Sequence, residues 1–190
     1  MITRFFRRQP EPPAPAVRVL LVCMGNICRS PLAEGVLRAR IAARAAGDRE
    51  PLPVLVDSAG THGYHAGTPP DPRAQAAAAR RGIDISALRA RQVTSDDLVV
   101  FDLVVAMDDD NLEALRGIAP PGHADKPRLL LDFAADAVPA RNVPDPYYGG
   151  MTGFERVLDL VESAMDGLLA EVERLLAERG VLPGAPARDD

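Results

Sequence analysis

The sequence has few of the residues that build disulfide frameworks, metal centres or basic binding surfaces. Among its 190 residues are two cysteines and three scattered histidines, so neither a disulfide framework nor a zinc-type cluster is expected. Its net charge of -5 argues against a nucleic-acid partner. No apolar run approaches the length of a membrane span, and no apolar core follows the basic residues 1–8. We therefore expect no metal, no membrane span and no secretory signal.

One nonapeptide, Cys-Met-Gly-Asn-Ile-Cys-Arg-Ser-Pro at residues 23–31, is the most informative part of the sequence. It follows the apolar run 17–22 and precedes an amphipathic stretch, which predicts a strand, a tight loop and a helix. We expect Ser30 to cap this helix and Pro31 to occupy its first position. Backbone N–H groups of the loop and of the helix N-terminus would then form a nest for an anion.

Two residues of this loop suit attack on phosphorus. Arg29 offers a planar fork of donors that matches two phosphoryl oxygens. Cys23 lies in the positive field of the nest, which favours the nucleophilic thiolate. A thiolate needs a reducing compartment, so we expect a cytoplasmic location. The alternative is a buried cysteine at a strand end before an ordinary helical arginine, because this spacing also occurs by chance.

Short apolar strands alternate with helices along the rest of the chain. Strands are predicted at 17–22, 54–56, 103–106 and 129–131, and helices at 31–46, 72–81, 111–116 and 152–179, with a further short helix after the capping pattern at 94–97. This alternation predicts an α/β fold with a parallel sheet covered by helices on both faces. Ligands of such sheets bind at the carboxyl ends of the strands, which is where Cys23 falls. We expect one domain at 17–179, with disordered segments at 1–16 and 180–190.

A second motif, Val-Pro-Asp-Pro-Tyr-Tyr-Gly-Gly at residues 143–150, precedes the last predicted helix. Cleavage of a phosphate ester requires a proton on the leaving oxygen, and a carboxylic acid can supply it. Asp145, held between two prolines, is the candidate acid, and Tyr147 and Tyr148 are candidate aromatic walls. The alternative is a plain Pro-Asp-Pro turn with the tyrosines packed under it.

Together, the two motifs resemble those of the low-molecular-weight protein tyrosine phosphatases. The similarity extends through segments 57–60, 70–74, 90–94 and 107–112, and covers about Val17 to Arg179. It implies a flavodoxin-like fold with a four-stranded parallel sheet. It also implies a phosphotyrosine phosphatase that forms a phosphocysteine intermediate and needs no cofactor.

The resemblance implies roles for individual residues. Cys23 would be the nucleophile, Arg29 the phosphoryl clamp, and Asp145 first the acid and then the base that activates water. The remaining loop residues and one distant serine would bind phosphate or support the loop: Met24, Gly25, Asn26, Ile27, Cys28, Ser30 and Ser58.

Two positions outside the loop also follow from the resemblance. Tyr64 would face Tyr147 across the substrate ring as a specificity residue. Many family members carry a histidine that helps to hold the loop asparagine, and this chain has Leu88 there. Support for Asn26 would therefore be weaker or rerouted.

Cys28 is a candidate redox partner of Cys23. An accessible thiolate is oxidised first to a sulfenic acid, which a neighbouring thiol can capture as a disulfide. The alternative is that Cys28 is a small buried filler.

Other functions fit part of this pattern. Thioredoxin-coupled arsenate reductases share the loop but need cysteines outside it, and this chain has none there. Protein arginine phosphatases carry threonine at the position of Ile27, where a branched apolar residue favours a phenyl ring over a guanidinium. A silent phosphotyrosine-binding module would lack Cys23 or Asp145. The alanine- and arginine-rich composition suggests a bacterial source and, by analogy, a bacterial tyrosine kinase as a partner.

Overall fold

The computed structural model describes residues 14–45, 50–134 and 140–182. Its elements alternate between strand and helix in this order: β1 (Val17–Cys23), α1 (Arg29–Arg44), β2 (Val54–Gly60), α2 (Pro72–Arg80), α3 (Ser95–Val100), β3 (Leu103–Ala106), α4 (Asp109–Ile118), β4 (Pro127–Leu129), a 3₁₀ helix (Leu130–Phe133) and α5 (Gly150–Glu178). Across the described ranges, no helix has both the length and the apolarity needed to cross a bilayer.

The four strands form one parallel sheet in the order β2-β1-β3-β4. This confirms the predicted flavodoxin-like α/β fold. The chain leaves β1 toward one neighbour, β2, and later returns to the opposite side as β3. The strand order therefore switches at β1, and a ligand site is expected at the carboxyl end of that strand. Cys23 is the last residue of β1 and lies at this edge.

Alternate side chains of β1 enter two separate cores. Val19 and Leu21 pack in the core that α1 and α5 cover. Leu20 and Val22 pack in the core that α3 and α4 cover. Both faces of the sheet are thus buried, which explains why β1 is an uninterrupted apolar run.

Several element boundaries differ from the sequence prediction, among them the start of α1 and the end of β4. Helix α1 begins at Arg29 with Cys28 as its N-cap, so Ser30 is not the cap and Pro31 is not the first helical residue. The Ser30 hydroxyl contacts Cys23 and Asn26 instead. The fourth strand ends at Leu129, and residues 130–131 belong to the 3₁₀ helix. The Asp132 carboxylate accepts a hydrogen bond from the Leu129 N–H at 3.3 Å, which turns the chain there.

The segments predicted to be disordered fall mostly on residues 1–13 and 183–190, which lie outside the described residues. The flanks that are described contact the domain. The Ala16 N–H donates to the Pro53 carbonyl at 2.7 Å, and the Val181 N–H donates to the Leu176 carbonyl at 2.9 Å. These flanking residues are therefore placed against the domain, and the disorder of the two tails stays a prediction.

Candidate active site

Cys23 lies beneath the loop that joins β1 to α1. Its Sγ is 3.3 Å from the backbone nitrogen of Asn26 and 3.1 Å from the Ser30 Oγ. The side chain is buried at the N-terminal end of α1, where the helix dipole is positive. These are surroundings that suit a sulfur carrying negative charge.

Asn26 holds the loop in its curled form. Its φ of +55° lies in the left-handed region, which costs most residues other than glycine about 1–2 kcal/mol and asparagine less. The side chain compensates with three hydrogen bonds. Its Oδ1 accepts from the Arg91 N–H at 2.9 Å, and its Nδ2 donates to Ser30 Oγ and to Ser58 Oγ, each at 2.9 Å. Segments distant in sequence therefore fix the loop, including the predicted supports Ser30 and Ser58.

These hydrogen bonds have a defined direction. Because Asn26 gives one hydrogen to each serine, each hydroxyl keeps its own proton for another acceptor. The Ser30 proton is within reach of Cys23 Sγ and of the Ala59 carbonyl, which is 3.3 Å away. Ser58 donates to a carboxylate oxygen of Glu34 at 2.6 Å. The Ser30 hydroxyl can therefore donate either to the sulfur or to the Ala59 carbonyl.

Glu34 ends this chain of hydrogen bonds inside the protein. Burial raises the pKa of Glu34, while the hydrogen bond from Ser58 and the charge of Arg38 oppose the rise. Its second oxygen lies 2.6 Å from Arg38 Nη2, a close charge pair without hydrogen-bond geometry. Leu88, at the position of the family histidine, packs against the core. Asn26 is thus supported by the Arg91 N–H and by the Ser58–Glu34 pair.

Arg29 is buried, and several acceptors fix its guanidinium. Nη1 donates to the Asp108 carboxylate and to the Val143 carbonyl, the latter at 3.0 Å, while Nη2 lies 3.2 Å from Asp145 Oδ2. Burial lowers the pKa of Arg29, but the charges of Cys23 and the two aspartates raise it by more. Arg29 therefore stays cationic as a rigid fork beside the sulfur.

Asp108 is a residue of the site to which the sequence analysis gave no role. It follows β3 at the same sheet edge as Cys23, and it caps α4 by accepting from the Asn111 N–H at 2.7 Å. The same side chain forms an ion pair with Arg29. Two signals were available: its position just after a central parallel strand, and its place in the family-like segment 107–112.

Asp145 reaches the pocket from the loop before α5. Oδ1 accepts from the Tyr147 N–H at 3.0 Å, and Oδ2 lies beside Arg29. The side chain is 41% exposed, so it can meet a substrate oxygen from the open side of the pocket.

One cavity of about 230 Å³ unites these groups. It is lined by Cys23, Met24, Gly25, Ile27, Cys28, Arg29, His65, Asp145, Tyr147 and Tyr148. The structure thus brings together the nucleophile, clamp and acid that the sequence predicted.

The aromatic wall differs from the prediction. Tyr64 is 82% exposed and stacks on His62, with ring centroids 5.3 Å apart, and it does not line the cavity. His65 lines it instead, close to Gly25. The predicted placement of Tyr64 opposite Tyr147 is therefore not seen, because stacking on His62 directs the ring outward. A lone histidine in a loop gave no sequence signal for His65.

A flavodoxin-like sheet whose first strand runs into a Cys-x5-Arg loop is an architecture that cysteine-dependent phosphatases share with some arsenate reductases. Comparison with known sequences narrows this class. The family model described as low molecular weight phosphotyrosine protein phosphatase matches residues 18–178. A low molecular weight protein-tyrosine-phosphatase of Streptomyces coelicolor is 46% identical over 164 residues, 85% of this chain and 97% of that protein. The human low molecular weight phosphotyrosine protein phosphatase is 40% identical over 139 residues, 73% of this chain and 85% of that protein.

Solved structures show the same likeness. The crystal structure of a protein tyrosine phosphatase from Entamoeba histolytica, with Hepes in its active site, gives a TM-score of 0.75 at 37% identity, covering 83% of this chain and 97% of that one. This chain belongs to the low molecular weight phosphotyrosine protein phosphatase family, which confirms the resemblance drawn from its two motifs.

Proposed function

We propose that this protein hydrolyses phosphotyrosine in proteins through a phosphocysteine intermediate. The observation that carries the proposal is the convergence of Cys23, Arg29 and Asp145 on one cavity in a member of this family. Backbone N–H groups of the loop and the Arg29 fork bind the phosphoryl oxygens.

In the first step, the sulfur of Cys23 attacks phosphorus. A sulfur–phosphorus bond forms, the bond from phosphorus to the tyrosine oxygen breaks, and Asp145 gives its proton to that oxygen. In the second step, the Asp145 carboxylate takes a proton from water, and the water oxygen attacks phosphorus. The sulfur–phosphorus bond breaks, which releases inorganic phosphate and returns Cys23 to its starting state.

Ile27 supports a preference for phosphotyrosine over phosphoarginine. It lines the cavity and is partly buried against the core, so it presents an apolar surface to the bound group. Ile27→Thr should shift the ratio of phosphoarginine to phosphotyrosine hydrolysis toward phosphoarginine by about tenfold to a hundredfold. The ratio is measured as kcat/KM on matched peptides. A wild-type enzyme that prefers phosphoarginine would refute the choice of substrate.

We also propose that Cys28 captures an oxidised Cys23. Burial raises the pKa of Cys28 to about 12, and the charge of Cys23 adds to the rise, so Cys28 rests as a thiol. Peroxide oxidises the Cys23 thiolate to a neutral sulfenic acid and is itself reduced to hydroxide. That neutralisation removes the repelling charge, and attack by the Cys28 sulfur then forms the disulfide and releases water.

Peroxide should therefore inactivate the enzyme, and dithiothreitol should restore most of the activity. Phosphate bound in the loop should slow the inactivation. Cys28→Ser should be active before oxidation and recover poorly afterwards, with mass spectrometry finding an intramolecular disulfide only in the wild type. If the wild type and Cys28→Ser recovered the same activity, Cys28 would have only a packing role.

We infer that the substrates include a bacterial tyrosine kinase and that the enzyme works in the cytoplasm. The composition and the presence of bacterial relatives support the first inference, and the need for a reduced Cys23 supports the second. Substrate capture from a bacterial lysate by the Asp145→Ala variant, followed by mass spectrometry, tests the kinase. A captured set without tyrosine kinases would contradict it.

A further inference from the structure

The short segment 71–73 contacts both catalytic loops. The Asp71 N–H donates to the Ile27 carbonyl, in the loop of Cys23, at 2.8 Å. Two residues later, Arg73 Nη1 donates to the Tyr147 carbonyl, in the loop of Asp145, at 2.9 Å. The N-cap and first turn of α2 therefore connect the two loops.

A bidentate ion pair between Arg73 and Asp71 links these two contacts. Arg73 donates from Nε to Asp71 Oδ1 at 3.0 Å and from Nη2 to Asp71 Oδ2 at 2.7 Å. The Arg73 N–H also donates to Asp71 Oδ1 at 2.8 Å as the cap of α2. A forked pair of this kind fixes the direction of the guanidinium as well as its position.

Two aromatic rings fix the same guanidinium from other sides. The Arg73 Cζ lies 5.4 Å from the ring centroid of Tyr147 and 5.0 Å from that of Phe154. Phe154 is fully buried in the early turns of α5. Both distances are within the range of cation–π attraction. Arg73 is thus held between α2, α5 and the loop of Asp145.

The hydrogen bond from Arg73 to Tyr147 lies close to Asp145, the proposed acid. The Tyr147 N–H donates to Asp145 Oδ1, and the carbonyl of the same residue receives the Arg73 hydrogen bond. On the other side of the acid, the Val143 N–H donates to the Met107 carbonyl at 2.8 Å. The partly exposed Asp145 is therefore bracketed by two backbone attachments, and Arg73 supplies the second.

We propose that Arg73 is a positioning residue that aligns Asp145 with the leaving oxygen of a phosphate bound in the Cys23 loop. The inference rests on the proposed function. Arg73 contacts neither the sulfur nor the phosphoryl clamp in this arrangement. It acts through the Tyr147 backbone, so its loss should impair proton transfer and leave phosphate binding intact.

The test compares Arg73→Met, which keeps the apolar stem but lacks the fork, with the wild type. A displacement of the acid by about 1 Å costs on the order of a hundredfold in rate. We expect kcat/KM for phenyl phosphate, whose leaving group needs protonation, to fall about tenfold to a hundredfold. The loss should shrink toward unity for p-nitrophenyl phosphate, and the inhibition constant of inorganic phosphate should not change.

Arg80→Met is the matched control. Arg80 lies on the same helix and donates from Nε to Glu155 on α5 at 2.9 Å, but none of its recorded contacts is with a catalytic loop. This variant should match the wild type on both substrates. Arg73→Lys keeps the charge without the fork, and should fall between Arg73→Met and the wild type. It also provides the comparison if Arg73→Met does not fold.

The outcomes separate the two proposals. A wild type that hydrolyses neither aryl phosphate overturns the proposed function and this inference with it. An active wild type with equal losses of Arg73→Met on both substrates, or with weakened phosphate inhibition, leaves the proposed function standing. That result assigns Arg73 a general structural role and overturns the positioning role. Unchanged activity of both Arg73 variants overturns it as well.

Discussion

Cys23→Ser is expected to lower kcat for aryl phosphates on the order of a thousandfold or more. A serine hydroxyl would need a base to become a nucleophile. The Cys23 sulfur contacts the Asn26 N–H and the Ser30 hydroxyl, and neither group is a base that could deprotonate a serine. Asp145 must be protonated for the first step, so it does not serve as that base.

The affinity for inorganic phosphate shows whether Cys23→Ser has lost only the nucleophile or has also lost the structure of the phosphate-binding loop. Cys23→Ser should still bind inorganic phosphate, because the loop N–H groups and Arg29 remain. Cys28→Ser is the matched control, since it makes the same change at the other cysteine of the loop and should stay active. Near-normal turnover by Cys23→Ser would rule out the phosphocysteine route.

Asp145→Asn is expected to lower kcat/KM for phenyl phosphate on the order of a hundredfold to ten-thousandfold. The amide oxygen keeps the acceptor for the Tyr147 N–H, but the side chain has no acidic proton to give. The loss should shrink along a series of increasingly acidic leaving phenols, because these depart without protonation.

Asp110→Asn is a suitable control, since Asp110 is an exposed residue in the first turn of α4 at the same edge of the sheet. It should behave like the wild type throughout the series. A loss in Asp145→Asn that is the same for every leaving group would show that Asp145 is not the acid.

The sheet edge at which Cys23, Arg29 and Asp145 meet could be predicted because it depends on chain order and on the apolar run of β1, whereas the roles of the three residues were implied by the resemblance of the two motifs to a known family. A parallel strand that is buried on both faces is uniformly apolar, as β1 is, and its end marks the sheet edge where ligands bind. The motif around Asp145 follows β4 in the chain, and so reaches the same edge.

The remaining parts of the site depend on side-chain contacts that no repeating pattern in the sequence marks. Ser30 was predicted from local pattern as a helix cap and from the resemblance as a loop support, and only the second role is seen, because its hydroxyl contacts Cys23 and Asn26. Asp108 was given no role, because its ion pair joins it to Arg29, 79 positions earlier in the chain. Tyr64 is directed outward by a stacking contact with a neighbouring ring, and local sequence does not encode such a choice.

A direct search for the phosphoryl group on sulfur decides the mechanism. The double variant Asp145→Asn, Cys28→Ser has Cys23 as its single cysteine, and its slowed hydrolysis step should let the intermediate accumulate. After mixing with p-nitrophenyl phosphate and rapid quenching, mass spectrometry should find one phosphoryl group on Cys23, formed together with a stoichiometric burst of nitrophenol. Release of nitrophenol with the phosphoryl group on another residue, or with no protein-bound phosphoryl group at all, would contradict the phosphocysteine mechanism.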